Sequence, residues 1–226
     1  MTYKVIENIN AVQENIITKP APEPTVRRLL VYLEYLKSID MPLISSGQIA
    51  EHFNFTAIQV RKDISFSGYI GRPKHGYNRE QLIEQIEKFL GFNDKIDVFL
   101  IGAGNIGRAL AEYKGFEKYS LNIIALADNN PELYNTTVAG KKIFSLEKAL
   151  ELIKRLKIKM AIIAVPPPAN QTVADLLIKA GIKAIWNFSS ARLKCPDEII
   201  VQNEDLGASL SVLAQKLLSA EQTKHK

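Results

Sequence analysis

Cysteine is almost missing from this chain: among 226 residues there is one, Cys195. A single thiol cannot close an intrachain disulfide, which fits a reducing compartment and sets the expectation of a cytoplasmic protein. Long apolar runs are missing too. No stretch approaches the roughly 20 residues needed to cross a bilayer, so no transmembrane helix and no membrane partner are expected. The first residues, MTYKVIENINAVQENIITKPAPEPT, have neither the basic start nor the apolar stretch of a signal peptide. Histidine is scarce: His52, His75 and His225 are the whole supply. No metal-ligand cluster, no Ser/His/Asp spacing and no internal repeat is found, so no metal is expected.

What is present is an ordinary globular balance, 46% apolar and 23% charged, enough to bury a real core. The net charge of +5 permits nucleic-acid binding without demanding it. Residues 1–25 read as an arm, because the prolines of KPAPEPT discourage a helix through them. From Val26 the spacing of Leu29, Leu30, Leu33 and Leu36 predicts an amphipathic helix that ends by Asp40–Pro42. Ser45 and Gln48 stand at capping-box spacing before a second helix, and Thr56 with Gln59 repeats the pattern before a third. The glycine-rich, basic stretch Ser67–Tyr77 predicts a hairpin or loop, and a further helix follows over Arg79–Leu90.

After Asp97 the texture changes. The runs VFLI, NIIALA, MAIIAV and KAIWNF alternate with helical patterns, as buried parallel strands do in a doubly wound sheet. Lys142–Phe144 and Ile199–Val201 bring the expected count to about six. Leu206, Leu210, Leu213 and Leu217 share one face of a last helix. The expected division is an arm over 1–25, a helical domain over 26–92, an α/β domain over 93–204 and a C-terminal helix and tail over 205–226.

Gly102-Ala103-Gly104-Asn105-Ile106-Gly107 is a GxGxxG directly after the strand Val98–Ile101. The first glycine suits a tight turn, the second lets a pyrophosphate approach the backbone, and the third allows close helix–strand packing. The helix that follows offers amide donors and the positive end of its dipole. Asp128 ends the next strand 21 residues after Gly107, near the spacing of the acidic group that bonds a ribose. A carboxylate there would repel a 2′-phosphate, which favours NAD(H) over NADP(H). The plain alternative is a glycine turn with no ligand. None of the histidines falls inside this domain, and Cys195 reads as a structural thiol. A nucleotide domain with so little chemistry attached suggests a sensor, with a small NAD(H)-dependent oxidoreductase as the other class.

Two short helices around Asn54–Phe55 make a helix-turn-helix candidate, with Thr56–Phe66 as the recognition helix. Gln59, Arg61 and Lys62 would be exposed for base edges and phosphates, while Val60 and Ile64 face the core. Arg72, Lys74 and His75 between glycines fit a winged helix. The alternative is a three-helix bundle with solvated charges.

Over nearly its whole length after the arm, the chain resembles the Rex family of redox-sensing transcriptional repressors. The segments are TVRRLLVYLEYL, SSGQIAEHFNFTAIQVRKDISFSGYIG, KHGY, IGAGNIGRALAEYKGF, IIAVPPPANQTVADLLIKAGIKAIWNF and NEDLGASL. The resemblance implies a winged helix-turn-helix domain, a Rossmann domain and a C-terminal helix swapped onto the partner of a homodimer. It implies a palindromic double-stranded operator, NADH as the release signal and NAD+ as a weak competitor.

By position, Gly102, Ala103, Gly104, Asn105, Ile106 and Gly107 match the pyrophosphate turn, and Asp128 the adenine-ribose acid. Tyr113 matches a tyrosine that changes contacts with ligand state, and Asp205 an aspartate near the nicotinamide. Gln59, Arg61, Lys62, Arg72 and Lys74 match the DNA-reading surface. Read without the family, Tyr113 is a residue of an amphipathic helix and Asp205 an N-cap. Three departures stand out. Glu34 occupies the place of an arginine that pairs with the aspartate, leaving Arg27 or Arg28 to compensate. Ser67 replaces an aromatic before the first wing glycine. Ala127 replaces an aromatic beside the ribose acid, which would loosen an adenine pocket. A repressor that has lost nucleotide control is therefore a further alternative.

Overall fold

The computed structural model describes residues 21–72 and 75–224. Most of the expected N-terminal arm, Lys74 and His225 lie outside them. The chain divides into two compact units, residues 1–94 and 95–226.

The first unit opens with α1, Glu23–Ser38, three residues ahead of Val26. Pro24 sits in its first turn, where a missing N–H leaves no helical bond unmade. The expectation that prolines would exclude a helix here was therefore too strict. Leu29, Tyr32, Leu33 and Leu36 form its buried stripe. A short strand β1, Leu43–Ile44, leads into α2, Ser46–Phe53. The Ser45–Gln48 capping box is fully made: the Gln48 amide donates to Ser45 Oγ at 3.1 Å and the Ser45 amide to Gln48 Oε1 at 2.8 Å. Asn54, left-handed at φ 56°, turns the chain into α3, Ala57–Ser65, which Thr56 caps. Strand β2, Tyr77–Asn78, pairs antiparallel with β1, and α4, Arg79–Phe89, follows it. Ile44, Ile49, Val60, Ile64, Leu82 and Ile86 close the core around α1. This is a winged helix-turn-helix.

The second unit is a seven-stranded sheet. Its strands are β3 Ile96–Ile101, β4 Leu121–Asp128, β5 Thr137–Val138, β6 Lys141–Ser145, β7 Met160–Ile163, β8 Ala184–Asn187 and β9 Ile200–Asn203. The order is β5-β6-β4-β3-β7-β8-β9, parallel throughout except for β5 against β6. The expected count of about six omitted β5, whose two residues are too few to show any period. Helices α5, Asn105–Glu112, α6, Leu146–Leu156, and α7, Pro167–Ala180, cover the two faces. Ala149, Ile153, Val173 and Leu177 pack with Phe99, Ile101 and Ala127 on one side. On the other, Ala111 joins Val98, Leu100, Leu126 and Ile162. From β3 the chain winds one way to β4 and β6, then returns to β7 beside β3 and winds the other way. The switch point therefore lies between the C-terminal ends of β3 and β7, where open α/β sheets bind their ligands.

The last helix, α8, Leu206–Lys224, is exposed at every described side chain. Leu206, Leu210, Leu213 and Leu217 are each about 60% exposed or more, an apolar stripe that its own chain does not cover.

Candidate dinucleotide site and nucleic-acid interface

The three glycines of the turn after β3 are required for three separate reasons. Gly102 has φ +105°, and a Cβ there would lie 2.5 Å from the carbonyl oxygen of Ala164 at the end of β7. A Cβ at Gly107 would collide with the Gly102 carbonyl, so this glycine lets α5 sit hard against the turn. At Gly104 nothing lies within 4 Å, and that face of the backbone is open. Asp128 holds the turn from β4: its Oδ2 accepts from the Ala103 amide at 2.7 Å and its Oδ1 from the Asn130 amide at 2.9 Å. Arg108 Nε donates back to the Ala103 carbonyl at 2.9 Å.

A cavity of about 650 Å³ opens over this turn, a size ordinary for a small-molecule site. Gly102, Gly104, Asn105, Ile106 and Asp128 line one end of it. Ala103 and Gly107 are buried behind that surface and shape the turn from within. Val165 and Pro166, which follow β7, and Phe188 and Ser189, which follow β8, also line it; Val165 Cγ1 lies 3.1 Å from where a Gly102 Cβ would be, and Phe188 and Ser189 stand one strand further on. Sequence reasoning did not single out these four; a strand end shows no pattern of its own before the topology is known. Asp128 is the only charged residue in the described lining. Helix α7 also points its start at the cavity, but it begins Pro167-Pro168, which lack N–H groups. Amide donors for an anion are thus concentrated at the start of α5.

Three residues singled out by the resemblance stand outside the described lining. Tyr113 and Asp205 do not line the cavity. Tyr113 is 57% exposed at the end of α5, edge-on to Phe116 at 4.9 Å. Asp205 caps α8, accepting from the Ala208 amide at 2.8 Å. Ala127 is fully buried in the core beside Ile101 and is not in the cavity's described lining.

On the helix-turn-helix, Arg61 and Lys62 are exposed on α3, and Arg61 Nη1 donates to Ser46 Oγ at 3.2 Å. Arg72 is exposed in the wing, where it pairs with Gly76 across a tight turn. Gly76 must be glycine, since a Cβ would lie 2.5 Å from the Ile44 carbonyl. Arg61, Tyr69, Arg72 and His75 share a groove of about 610 Å³ between α2, α3 and the wing. Gln59 departs from expectation: it is half-buried, and its Nε2 donates to Asp63 Oδ1 at 3.0 Å. Ile58, 71% exposed, and Ile70, 84% exposed, are apolar groups on the same elements that were not anticipated.

Asp63 is the centre of this unit and was also missed. It is fully buried. Arg28 meets it bidentately, Nε to Oδ2 at 2.6 Å and Nη2 to Oδ1 at 2.7 Å. The Tyr32 hydroxyl donates at 3.0 Å and the Thr25 hydroxyl at 3.2 Å. Burial pushes the carboxyl up, but hydrogen bonds from Arg28, Tyr32 and Gln59 more than reverse it, so the group sits below its ordinary value. Burial and the neighbouring carboxylate push the Tyr32 phenol well up. A signal existed: Asp63 stands three residues after Val60, and a charge on a buried face needs a partner. Arg28 is thus committed to α3, and Arg27 pairs with Glu23 one turn earlier at 2.7 Å.

Two family models match, "CoA binding domain" over residues 93–191 and "Putative DNA-binding protein N-terminus" over residues 21–65. The redox-sensing transcriptional repressor Rex of Treponema denticola is 40% identical over 193 residues, 84% of this chain and 92% of that protein. The chain belongs to the Rex family of redox-sensing transcriptional repressors. Rex of Bacteroides thetaiotaomicron is 36% identical over 199 residues, 87% of this chain and 90% of its own. Among solved structures, RSP in complex with β-NAD+ and operator DNA matches with a TM-score of 0.86 at 36% identity, over 92% of this chain and 97% of that one. RSP in complex with β-NADH matches at 0.79 and 35% identity, over 92% and 99%. The Rex-family relatives thus span both units of this chain.

Proposed function

We propose that this chain is a transcriptional repressor that binds double-stranded operator DNA as a homodimer and is released from it by NADH, with NAD+ competing weakly. The observation behind this reading is the distribution of charge in the cavity. Asp128 stands at the end that would take the adenosine ribose, the open backbone at Gly104 and the start of α5 take the diphosphate, and Ala103 and Gly107 build the turn. From the turn toward β8, past Val165 and Pro166 to Phe188, the described lining has no charged group. Burying a cationic ring among apolar groups without a counter-charge is costly, whereas a neutral ring of the same shape enters freely. That difference favours the dihydronicotinamide of NADH, which supplies the cell's redox state as a bound form.

On the DNA side, Arg61, Lys62 and Arg72, with Lys74, supply phosphate and base contacts, and Gln59 reads an edge from a side chain held by Asp63. The uncovered leucine stripe of α8 fits a swap onto a second copy, which would carry Asp205 toward the partner and leave Tyr113 to change its contacts with ligand state. Release follows from differential affinity: NADH favours the dimer arrangement in which the two α3 helices are out of step with major grooves about 34 Å apart. The test is titration of a protein–operator complex with each nucleotide. NADH releases DNA at concentrations where NAD+ does little; equal potency would overturn the redox part of the proposal.

A further inference from the structure

Among the described lining residues, one buried polar group is left without a partner. Ser189, at the end of β8, is 7% exposed and lines the cavity. Its hydroxyl oxygen is buried and has no hydrogen-bond partner among the described residues. An unpaired buried hydroxyl is unfavourable, and such groups in native proteins are few. The loop that holds it is anything but loose. Asn187, fully buried, accepts the Ser189 amide on Oδ1 at 3.1 Å and donates from Nδ2 to the Ala191 carbonyl at 3.0 Å. Asn170, from α7, donates to the same carbonyl at 2.8 Å. Asn203 of β9 completes the set, accepting from Asn187 at 2.9 Å. Three asparagines from three elements therefore fix one serine whose own oxygen is left over.

Its place in the sheet says what it waits for. Asp128 ends β4 and Ser189 follows β8, with β3 and β7 between them. Three strand spacings separate the two, about 14 Å. A ligand touching both crosses the switch point, as an extended dinucleotide does. With the ribose at Asp128 and the diphosphate at Gly104, the far base reaches β8. Phe188, Val165 and Pro166 offer no polar side-chain group there, and Ser190, which also lines the cavity, is exposed to water while the Ser189 hydroxyl is not. A hydroxyl both donates and accepts, and so matches a carboxamide.

We infer that Ser189 is a ligand-binding residue whose hydroxyl hydrogen-bonds the carboxamide of the nicotinamide ring. The inference rests on the NADH site proposed above and adds to it: Ser189 selects dinucleotides that bear a carboxamide, whichever redox state the ring is in. Redox discrimination stays with the uncharged wall.

The test compares the full chain with its Ser189→Ala variant by titration calorimetry, using NADH and, separately, ADP-ribose, which has the same adenosine and diphosphate but no nicotinamide. The variant binds NADH about threefold to tenfold more weakly, the worth of one hydrogen bond, and binds ADP-ribose as the native chain does. Without ligand it melts no lower than the native chain, because an unsatisfied hydroxyl has been removed. A structural role would instead lower the melting temperature. Unchanged NADH affinity, or an equal loss for both ligands, overturns the inference alone. Failure of the native chain to take up NADH overturns the proposed function and this inference with it.

Discussion

Asp128 accepts the backbone amide of Ala103 at 2.7 Å, so the acid at the end of one strand shapes the glycine turn at the end of its neighbour. The residue holds the turn, and in the proposed function it also meets a ribose. Replacing it with alanine removes an acceptor from a part-buried amide as well as a ligand contact. Asp128→Ala is expected to weaken NADH binding by roughly 10-fold or more, in line with hydrogen bonds to charged groups. Calorimetric titration checks this, and an affinity within twofold of the native value would contradict it.

Gly107 gives the sharpest steric prediction. Its added methyl would run into the Gly102 carbonyl, which is backbone and cannot rotate aside. Gly107→Ala must push α5 off the turn, at about 1–3 kcal/mol of stability, and spoil the alignment of amides toward a diphosphate. Thermal melting and NADH titration should both show the loss. Gly104→Ala is the informative contrast: the methyl meets nothing in the protein, so stability holds while NADH binding falls.

The ion pair of Arg28 with Asp63 ties α1 to α3, the recognition helix of the proposed function. Arg28→Met leaves a buried carboxylate without its cation, which typically costs about 3–5 kcal/mol. Operator binding should collapse, while NADH binding by residues 95–226 persists. The pH dependence has a definite sign. The folded Asp63 carboxyl sits below its ordinary value, so its contribution is complete above the unfolded value, about 3.9, and is lost as pH falls through the lower folded value. Helical signal from this unit should hold down to that region. Asp63→Asn should start less stable and lack this acid limb, as followed by circular dichroism against pH.

Lys62 and Arg61 are exposed on α3, and the two should fail differently. Lys62→Ala, as a phosphate contact, weakens all DNA sequences alike and lowers the slope of log affinity against log salt by about one per site. Arg61→Ala, facing the groove beside the wing, should also relax operator preference. Binding measured at several salt concentrations, with operator and with scrambled DNA, separates them.

Much of this was legible beforehand. The glycine turn, the four long strands and the capped helix starts at Ser45 and Thr56 are local patterns, and the structure places them where the residues said. What escaped depends on contacts between distant segments. Strand β5 has two residues and exists only because β6 is beside it. The commitment of Gln59 to Asp63 cannot be seen until α1 brings Arg28 to the same carboxylate, and helical spacing alone put Gln59 at the surface. Ser189 looks like any loop serine until Asn187, Asn170 and Asn203 are found around it. Tyr113 and Asp205 lie away from the cavity of their own chain, and a second subunit is outside what one chain can display.

The central claim is that one neutral-ring coenzyme, seated over Gly104 and Asp128, decides whether paired recognition helices can hold DNA. Fluorescence anisotropy of labelled operator, titrated with NADH and then with NAD+ at fixed protein and salt, measures it directly. The account predicts that NADH drives the operator off and that NAD+ added in excess restores part of the bound signal. Operator retained at saturating NADH, or displaced equally by both forms, would contradict it.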